Sequence, residues 1–316
     1  MREDGVRSVD HPAEPTVGGA CPLCSASRLG SFRFGLLRCA GCGLVVNPAL
    51  FRRGAGQELN EEAFGEGWEP ETSFWVRWFQ ISKNRRYLRT IQKFAQGGRL
   101  LEVGVGGGRF LEQARAAGFD VMGCDLSPAV CRRVEERIGV PVHCGSLDGL
   151  PPGVVRVVAL HHVLEHVEDP VGFLRSVRDL LVPGGIVHIA VPNVGCWEAR
   201  FAAWNSYAPY HLTYFDRETL ARAAREAGLV PLWDGTHESF STWFLTMVRL
   251  ILKVRPNETP RIAALIGRVP AWWSLVEHPY RLAMVVAGAV TWPLRRVQAA
   301  LGRGDELLMV ARRANG

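Results

Sequence analysis

The run Leu100-Leu101-Glu102-Val103-Gly104-Val105-Gly106-Gly107-Gly108-Arg109-Phe110 restricts this chain more than any other stretch. An apolar strand closes on an acid, a glycine-rich turn follows, and a helix begins. That order brings backbone N–H groups at a helix N-terminus close to a ligand. Glycine is required there because a Cβ would block the approach or forbid the dihedrals. The run therefore predicts a cofactor-binding turn in an α/β domain.

The flanking pattern agrees. Strands are predicted at 100–103, 121–124, 140–143, 154–160 and 186–191, with helices at 109–117, 128–137, 163–167 and 170–181 between them. Pro183-Gly184-Gly185 marks a turn. A helix over 217–227, closed by Gly228, leads to a strand at 229–233, and 307–311 reads as the last strand. Such alternation implies parallel strands with helices on both faces, a doubly wound Rossmann-like sheet.

Cys21-Pro22-Leu23-Cys24 and Cys39-Ala40-Gly41-Cys42 are two C-x-x-C knuckles separated by 14 residues. Each can place two thiolates on one metal, and two knuckles complete a tetrahedron, so Cys21, Cys24, Cys39 and Cys42 predict a zinc ribbon. Four protein ligands leave no open position, which makes this zinc structural. The remaining thiols, Cys124, Cys131, Cys144 and Cys196, have no such spacing.

The expected organisation is a disordered leader over 1–20, the ribbon over 21–48, and a linker with an aromatic-rich helical lid over 49–98. A cofactor-binding core over 99–238 follows, then a helical insertion or cap over 239–304, and the last core strand and tail over 305–316. In the lid, Trp75 and Trp78 could cover a pocket. The polar first residues carry no apolar core of a signal peptide, so a cytoplasmic location is expected. Of the 37 basic residues only Lys83, Lys93 and Lys253 are lysines. That excess of arginine suits phosphate or carboxylate recognition, and a GC-rich genome would produce it too.

The second strand ends in Asp125, about 20 residues beyond the glycines, where a carboxylate can accept both hydroxyls of an adenosine ribose. This suits NAD or S-adenosylmethionine equally. Three later pieces separate them: His162-Val163-Leu164-Glu165-His166-Val167-Glu168-Asp169-Pro170, then Leu180-Leu181-Val182-Pro183-Gly184-Gly185, then Val191-Pro192-Asn193. Together they resemble the class I S-adenosylmethionine-dependent methyltransferases, in the branch of ubiquinone-type and small-molecule O-methyltransferases. The resemblance spans roughly 78–233 and the last strand. It implies that Glu102, Gly104, Gly106 and Gly108 surround the methionine part of the cofactor and that Asp125 holds the ribose. It implies further that Leu126 packs on adenine, Ser146 and Leu147 flank its edge, and His161 closes the site. Ser146 and Arg156 stand where many relatives carry aspartate.

A hydroxyl acceptor must lose a proton during methyl transfer, so a base or a metal helps. His162, Glu165 and His166 form H-x-x-E-H, a pattern shared with inverted zinc proteases, but it follows a parallel strand here. Ubiquinone-type relatives bind a divalent metal with acids near this point, which makes an active-site metal a further expectation. In Tyr207-Ala208-Pro209-Tyr210-His211-Leu212-Thr213-Tyr214-Phe215, similar to a segment over the substrate opening of related enzymes, His211 is the candidate proton acceptor. Asn193, Trp197, Tyr210 and Tyr214 are candidates for the acceptor wall.

The expected activity is S-adenosylmethionine-dependent O-methylation of a small-molecule, sugar-like or lipid-linked acceptor. An RNA methyltransferase using the ribbon and a non-catalytic cofactor-binding or assembly protein are the alternatives. The ribbon lacks a dense basic or aromatic patch, which argues against nucleic acid. The apolar run 282–294, with Trp272, Trp273 and Trp292 near its ends, is shorter than the roughly 20 residues that span a bilayer. It reads as a helical cap, as a peripheral membrane contact through 239–304, or as a homodimer interface.

Overall fold

The computed structural model describes residues 19–52, 74–208, 210–239, 242–253 and 286–315. The leader, most of the loop after the ribbon, the Trp75 side chain, Trp272, Trp273 and the start of the 282–294 run lie outside the described residues.

The ribbon comes first. Strands β1 (Leu29–Ser31), β2 (Leu37–Cys39) and β3 (Val45–Val46) form an antiparallel meander. Its two knuckles turn alike: Ser25 N–H bonds back to Cys21 O and Gly43 N–H to Cys39 O. Ser25 and Gly43 both take left-handed backbone, at φ 58° and 82°.

Helix α1 (Phe74–Gln92) precedes the main sheet. The alternation then runs β4 (Arg99–Val103), α2 (Arg109–Ala116), β5 (Asp120–Asp125), α3 (Pro128–Ile138), β6 (Val142–Cys144) and β7 (Val155–His161). It continues with α4 (Pro170–Leu180), β8 (Leu181–Pro192), β9 (Thr213–Tyr214), α5 (Arg217–Glu226) and β10 (Leu229–His237). Helices α6 (Thr242–Leu252) and α7 (Trp292–Ala300) and strand β11 (Glu306–Arg313) complete the chain. Caps follow the local sequence: Ser127 and Asp169 accept from the first turns of α3 and α4, each with proline next, and Asp216 with Thr219 builds a capping box on α5.

Seven strands order as β10-β11-β8-β7-β4-β5-β6, with β11 antiparallel to both its neighbours and the others parallel. Chain order reverses between β4 and β7, the switch point where open α/β sheets bind ligands at the carboxyl ends. The pairs His161–Ala190 and Glu306–Pro192 place the start of β11 at that same edge. Two apolar layers sandwich the sheet, one under α4 and α5 and one under α1, α2 and α3.

Three boundaries differ from expectation. Residues 163–167 form only a 3-10 turn over Leu164–His166. The third strand lies at Val142–Cys144. The Pro183-Gly184-Gly185 turn is a bulge, since Val155 and Val157 pair with Leu181 and Ile186 and the residues between loop out.

The insertion of 239–304 leaves and rejoins the sheet at one anchored point. Asp305 accepts from Ser239 N–H and Thr242 Oγ1, and Gln298 Nε2 donates to Glu198 and Glu238. Burial and the nearby Asp305 and Glu198 carboxylates push Glu238 up to about 11, so it carries a proton and can share it with Glu198. Among the described residues no helix is long and apolar enough to cross a membrane.

Candidate active site

The strand ends define the cofactor side. Gly104, Gly106 and Gly108 all adopt left-handed backbone, at φ 73°, 49° and 68°. A Cβ on Gly104 would lie 2.7 Å from Val163 Cγ2, so the turn needs glycine there for space as well as for conformation. At the tip of β5, burial raises the Asp125 carboxyl, opposed by the N–H groups of Ser127, Gly106, Val105 and Leu126 around it. Leu126 beside it is 74% exposed.

Glu102 is buried, and Oε2 has no partner among the described residues. Burial and the Asp125 charge push its carboxyl well above the usual range. His161 lies 3.8 Å from Glu102 Oε1, hydrogen-bonds His188 at 3.0 Å, leans over the Tyr87 ring and meets Phe110 edge to face. Ser146 stands at the head of a 3-10 turn, while Leu147 points into the core. An orphaned buried carboxyl oxygen, a turn with space only for backbone and a strand-end aspartate together fit a nucleoside-bearing ligand.

A second group lies beside it. One ligand atom each from Glu165, His166 and His211 falls within 4.8 Å of the others. His166 Nδ1 sits 3.1 Å from Tyr210 O and His211 Nδ1 2.7 Å from Ser206 O. Each Nδ1 therefore carries a hydrogen. Burial holds His211 down at about 4, so it is neutral at physiological pH. Burial opposes the charge on Glu165, but the His162 hydrogen bond and the nearby histidines outweigh it and hold the carboxyl at about 2. Glu165 Oε2 is buried with no partner among the described residues.

The expected grouping of His162 with these residues needs adjustment. His162, at φ 58°, turns between two buried carboxylates: Nδ1 lies 3.3 Å from Glu165 Oε1 and Nε2 2.9 Å from Glu306 Oε1. Burial and Lys83 push its pKa down, but the two carboxylates prevail and hold it at about 9. An imidazolium so held cannot accept a proton at neutral pH, so His162 is an ion-pair partner. Lys83 and Tyr87 of α1 complete this network, with Tyr87 Oη donating to Glu306 and Lys83 Nζ 3.8 Å from it. Lys83, Tyr87, His188 and Glu306 carry no motif, and only tertiary structure shows them.

The expected acceptor wall is also corrected in part. Asn193 is buried, with Nδ2 donating to Gly304 O and Oδ1 accepting from Gly195 N–H. Tyr214 is buried and donates to Ala208 O. Both hold loops. Tyr210 is half-buried with its ring against His166 and His211, and Trp197 is half-buried before a 3-10 turn.

The four ribbon cysteines also converge, with one Sγ from each within 4.8 Å of the rest and cross-knuckle pairs Cys21–Cys42 and Cys24–Cys39 at 3.5 Å. A tetrahedral zinc with bonds of about 2.3 Å separates its sulfurs by about 3.8 Å, so the cluster has the right size. Burial opposes the Cys39 thiolate, but N–H groups of Cys42 and Gly41 hold its pKa at about 7.

The sheet order, the glycine turn and the strand-end acids define a nucleoside-dependent transferase fold, and the chain belongs to the class I S-adenosylmethionine-dependent methyltransferases. The family profile described as "Methyltransferase domain" matches residues 79–232. The ubiquinone biosynthesis O-methyltransferase of Bordetella avium is 31% identical over 186 residues, covering 52% of this chain and 75% of that one. The protein of the same name from Bordetella bronchiseptica is 32% identical over the same shares. Among solved structures, a candidate sarcosine dimethylglycine methyltransferase from Galdieria sulphuraria shares the fold. Its TM-score is 0.52 at 14% identity, covering 82% of this chain and 97% of that one.

Proposed function

We propose that this methyltransferase transfers a methyl group to a hydroxyl oxygen of a small-molecule, sugar-like or lipid-linked acceptor. The observation that carries the reading is the convergence of Glu165, His166 and His211 beside the cofactor turn. The name of the Bordetella relatives supports the choice of oxygen.

S-adenosylmethionine supplies an electrophilic methyl on a sulfonium, with S-adenosylhomocysteine as the leaving group. On this reading Asp125 holds the ribose hydroxyls, the glycine turn offers N–H groups, and Glu102 Oε2 meets the methionine part. The transfer is an in-line displacement, so alignment and exclusion of water are the main demands. His211 Nε2 would take the proton that the acceptor hydroxyl loses on methylation. Glu165 stabilises the resulting imidazolium.

Two imidazoles whose Nδ1 atoms bond backbone carbonyls, and an ionised carboxylate with an oxygen unpartnered among the described residues, also suit a divalent cation. Such a cation would be held by Glu165, His166 and His211 and would lower the pKa of the acceptor hydroxyl. In the ribbon, zinc on Cys21, Cys24, Cys39 and Cys42 would be structural. The ribbon directs its apolar face and a strand edge at its own chain, which supports a structural role over nucleic-acid binding. Exposed Met247, Ile251, Val290, Leu294, Val297 and Leu301, on α6 and around α7, favour an acceptor or peripheral membrane contact of apolar character.

The test compares wild type with Glu165→Gln and His211→Ala on a catechol acceptor and on a lipid-linked phenol. Turnover should fall about a hundredfold or more in both variants, with S-adenosylhomocysteine affinity within about twofold. Manganese or magnesium should raise the melting temperature of wild type and not of Glu165→Gln if a cation is held there. Full turnover in both variants would remove the cluster from the reaction.

A further inference from the structure

The ribbon does not end its sheet on itself. Its last strand, β3, pairs antiparallel with β9, so that Val45 faces Tyr214 and Val46 faces Thr213. The four-stranded sheet β1-β2-β3-β9 is thus built from two parts of the chain. Asn47 extends the contact: its N–H donates to Leu212 O at 2.9 Å and its Nδ2 to His211 O at 3.3 Å. On the other side, Leu212 N–H donates to Glu165 O at 2.8 Å and Thr213 Oγ1 reaches Leu164 O. The segment bearing His211 is held between the ribbon and the turn bearing Glu165.

Neither half of this arrangement is self-sufficient. A two-residue strand has negligible stability without a partner. A ribbon of this size has too little core to fold alone and draws its stability from metal and docking. Its Leu23, Leu29, Leu37, Leu44 and Val46 join the core cluster that holds Leu164 and Phe215.

We propose that the ribbon is a brace for the reaction centre, and that Asn47 is a positioning residue that sets His211 against Glu165 through the β3–β9 pairing. The role of His211 rests on the reading above; the brace is a separate, physical claim. The ribbon metal then governs the geometry of a site to which it contributes no ligand.

Hydrogen exchange on the full-length protein tests this, comparing wild type with Asn47→Ala and Cys42→Ser. Asn47→Ala keeps all four cysteines, so it separates the brace from metal loss. Exchange across 211–214 should become about tenfold faster in both variants, while 100–103 and 157–160 keep their protection. S-adenosylhomocysteine affinity should stay within about twofold in Asn47→Ala, with bound zinc unchanged. Asn47→Asp, which keeps the Oδ1 acceptor for Ala49 N–H but loses the Nδ2 donor to His211 O, should speed exchange across 211–214 as Asn47→Ala does, a result that loss of the local turn alone does not produce. Unchanged exchange across 211–214 in either variant would overturn the proposal. The exchange and binding readouts need no acceptor, and when turnover on the catechol is measured beside them, a loosened segment with turnover intact would remove His211 from the chemistry and leave the brace standing.

Discussion

His162 Nε2 lies 2.9 Å from Glu306 Oε1, joining the end of β7 to the start of β11 across 144 residues of chain. The same ring bonds Glu165 through its other nitrogen, so one imidazolium bridges two buried carboxylates, with Lys83 Nζ 3.8 Å from Glu306 as the second cation. Removing a partner from such a pair leaves a buried charge uncompensated.

The pH dependence of this pair has a definite sign. The folded pKa of His162 is raised to about 9 from an ordinary 6.5, so its stabilising contribution is fully present below about 6.5 and is lost as pH rises through about 9. His162→Asn isolates the side chain, because asparagine tolerates left-handed backbone. Melting curves at pH 6 and pH 10 should show a large deficit for the variant at the lower pH and a small one at the higher. Equal deficits at both would contradict a charged His162.

Asp125 is expected to account for much of the cofactor affinity. Two hydrogen bonds from a carboxylate to ribose hydroxyls are worth about 1.5–3 kcal/mol in all, so Asp125→Ala should weaken S-adenosylmethionine by about 10–100-fold in calorimetric titration. Affinity equal to wild type would place the ribose elsewhere.

The glycine turn makes a conformational prediction. Gly104→Ala asks an L-residue to hold φ 73° and sets a methyl 2.7 Å from Val163. The backbone term alone costs about 1–2 kcal/mol. Urea melts should show at least that loss, and cofactor affinity should fall with it as the turn shifts. A neutral substitution would show that this turn relaxes freely.

Much of this architecture was legible in the sequence because it is local. A strand, a glycine turn and a helix are written in consecutive residues, and so are paired knuckles with a fixed spacing. Asp125 stands at a strand end that alternation locates, and the resemblance to a methyltransferase series draws out Glu102 and the Glu165-His166 pair in the turn after β7. What stayed hidden depends on contacts between distant segments. Nothing near Glu306 announces that it will meet His162, Tyr87 and Lys83, because that meeting follows from the place of β11 beside β8. Asn193 and Tyr214 read as acceptor contacts because polar and aromatic side chains after a strand often face ligands. Their actual partners are backbone carbonyls and amides whose positions no residue pattern encodes.

The insertion between β10 and β11 departs and returns at a single clasp, where Asp305 grips Ser239 and Thr242. Through that clasp the two sheet-facing ends of the insertion are held together as a tight turn would hold them. Such a junction separates two kinds of change. The appendage can be rebuilt to suit a different acceptor or surface while the strand order and the cofactor turn stay as they are. The exceptions are Glu306, beside the clasp, and Gln298, on α7, where remodelling outside would be felt among the buried charges within.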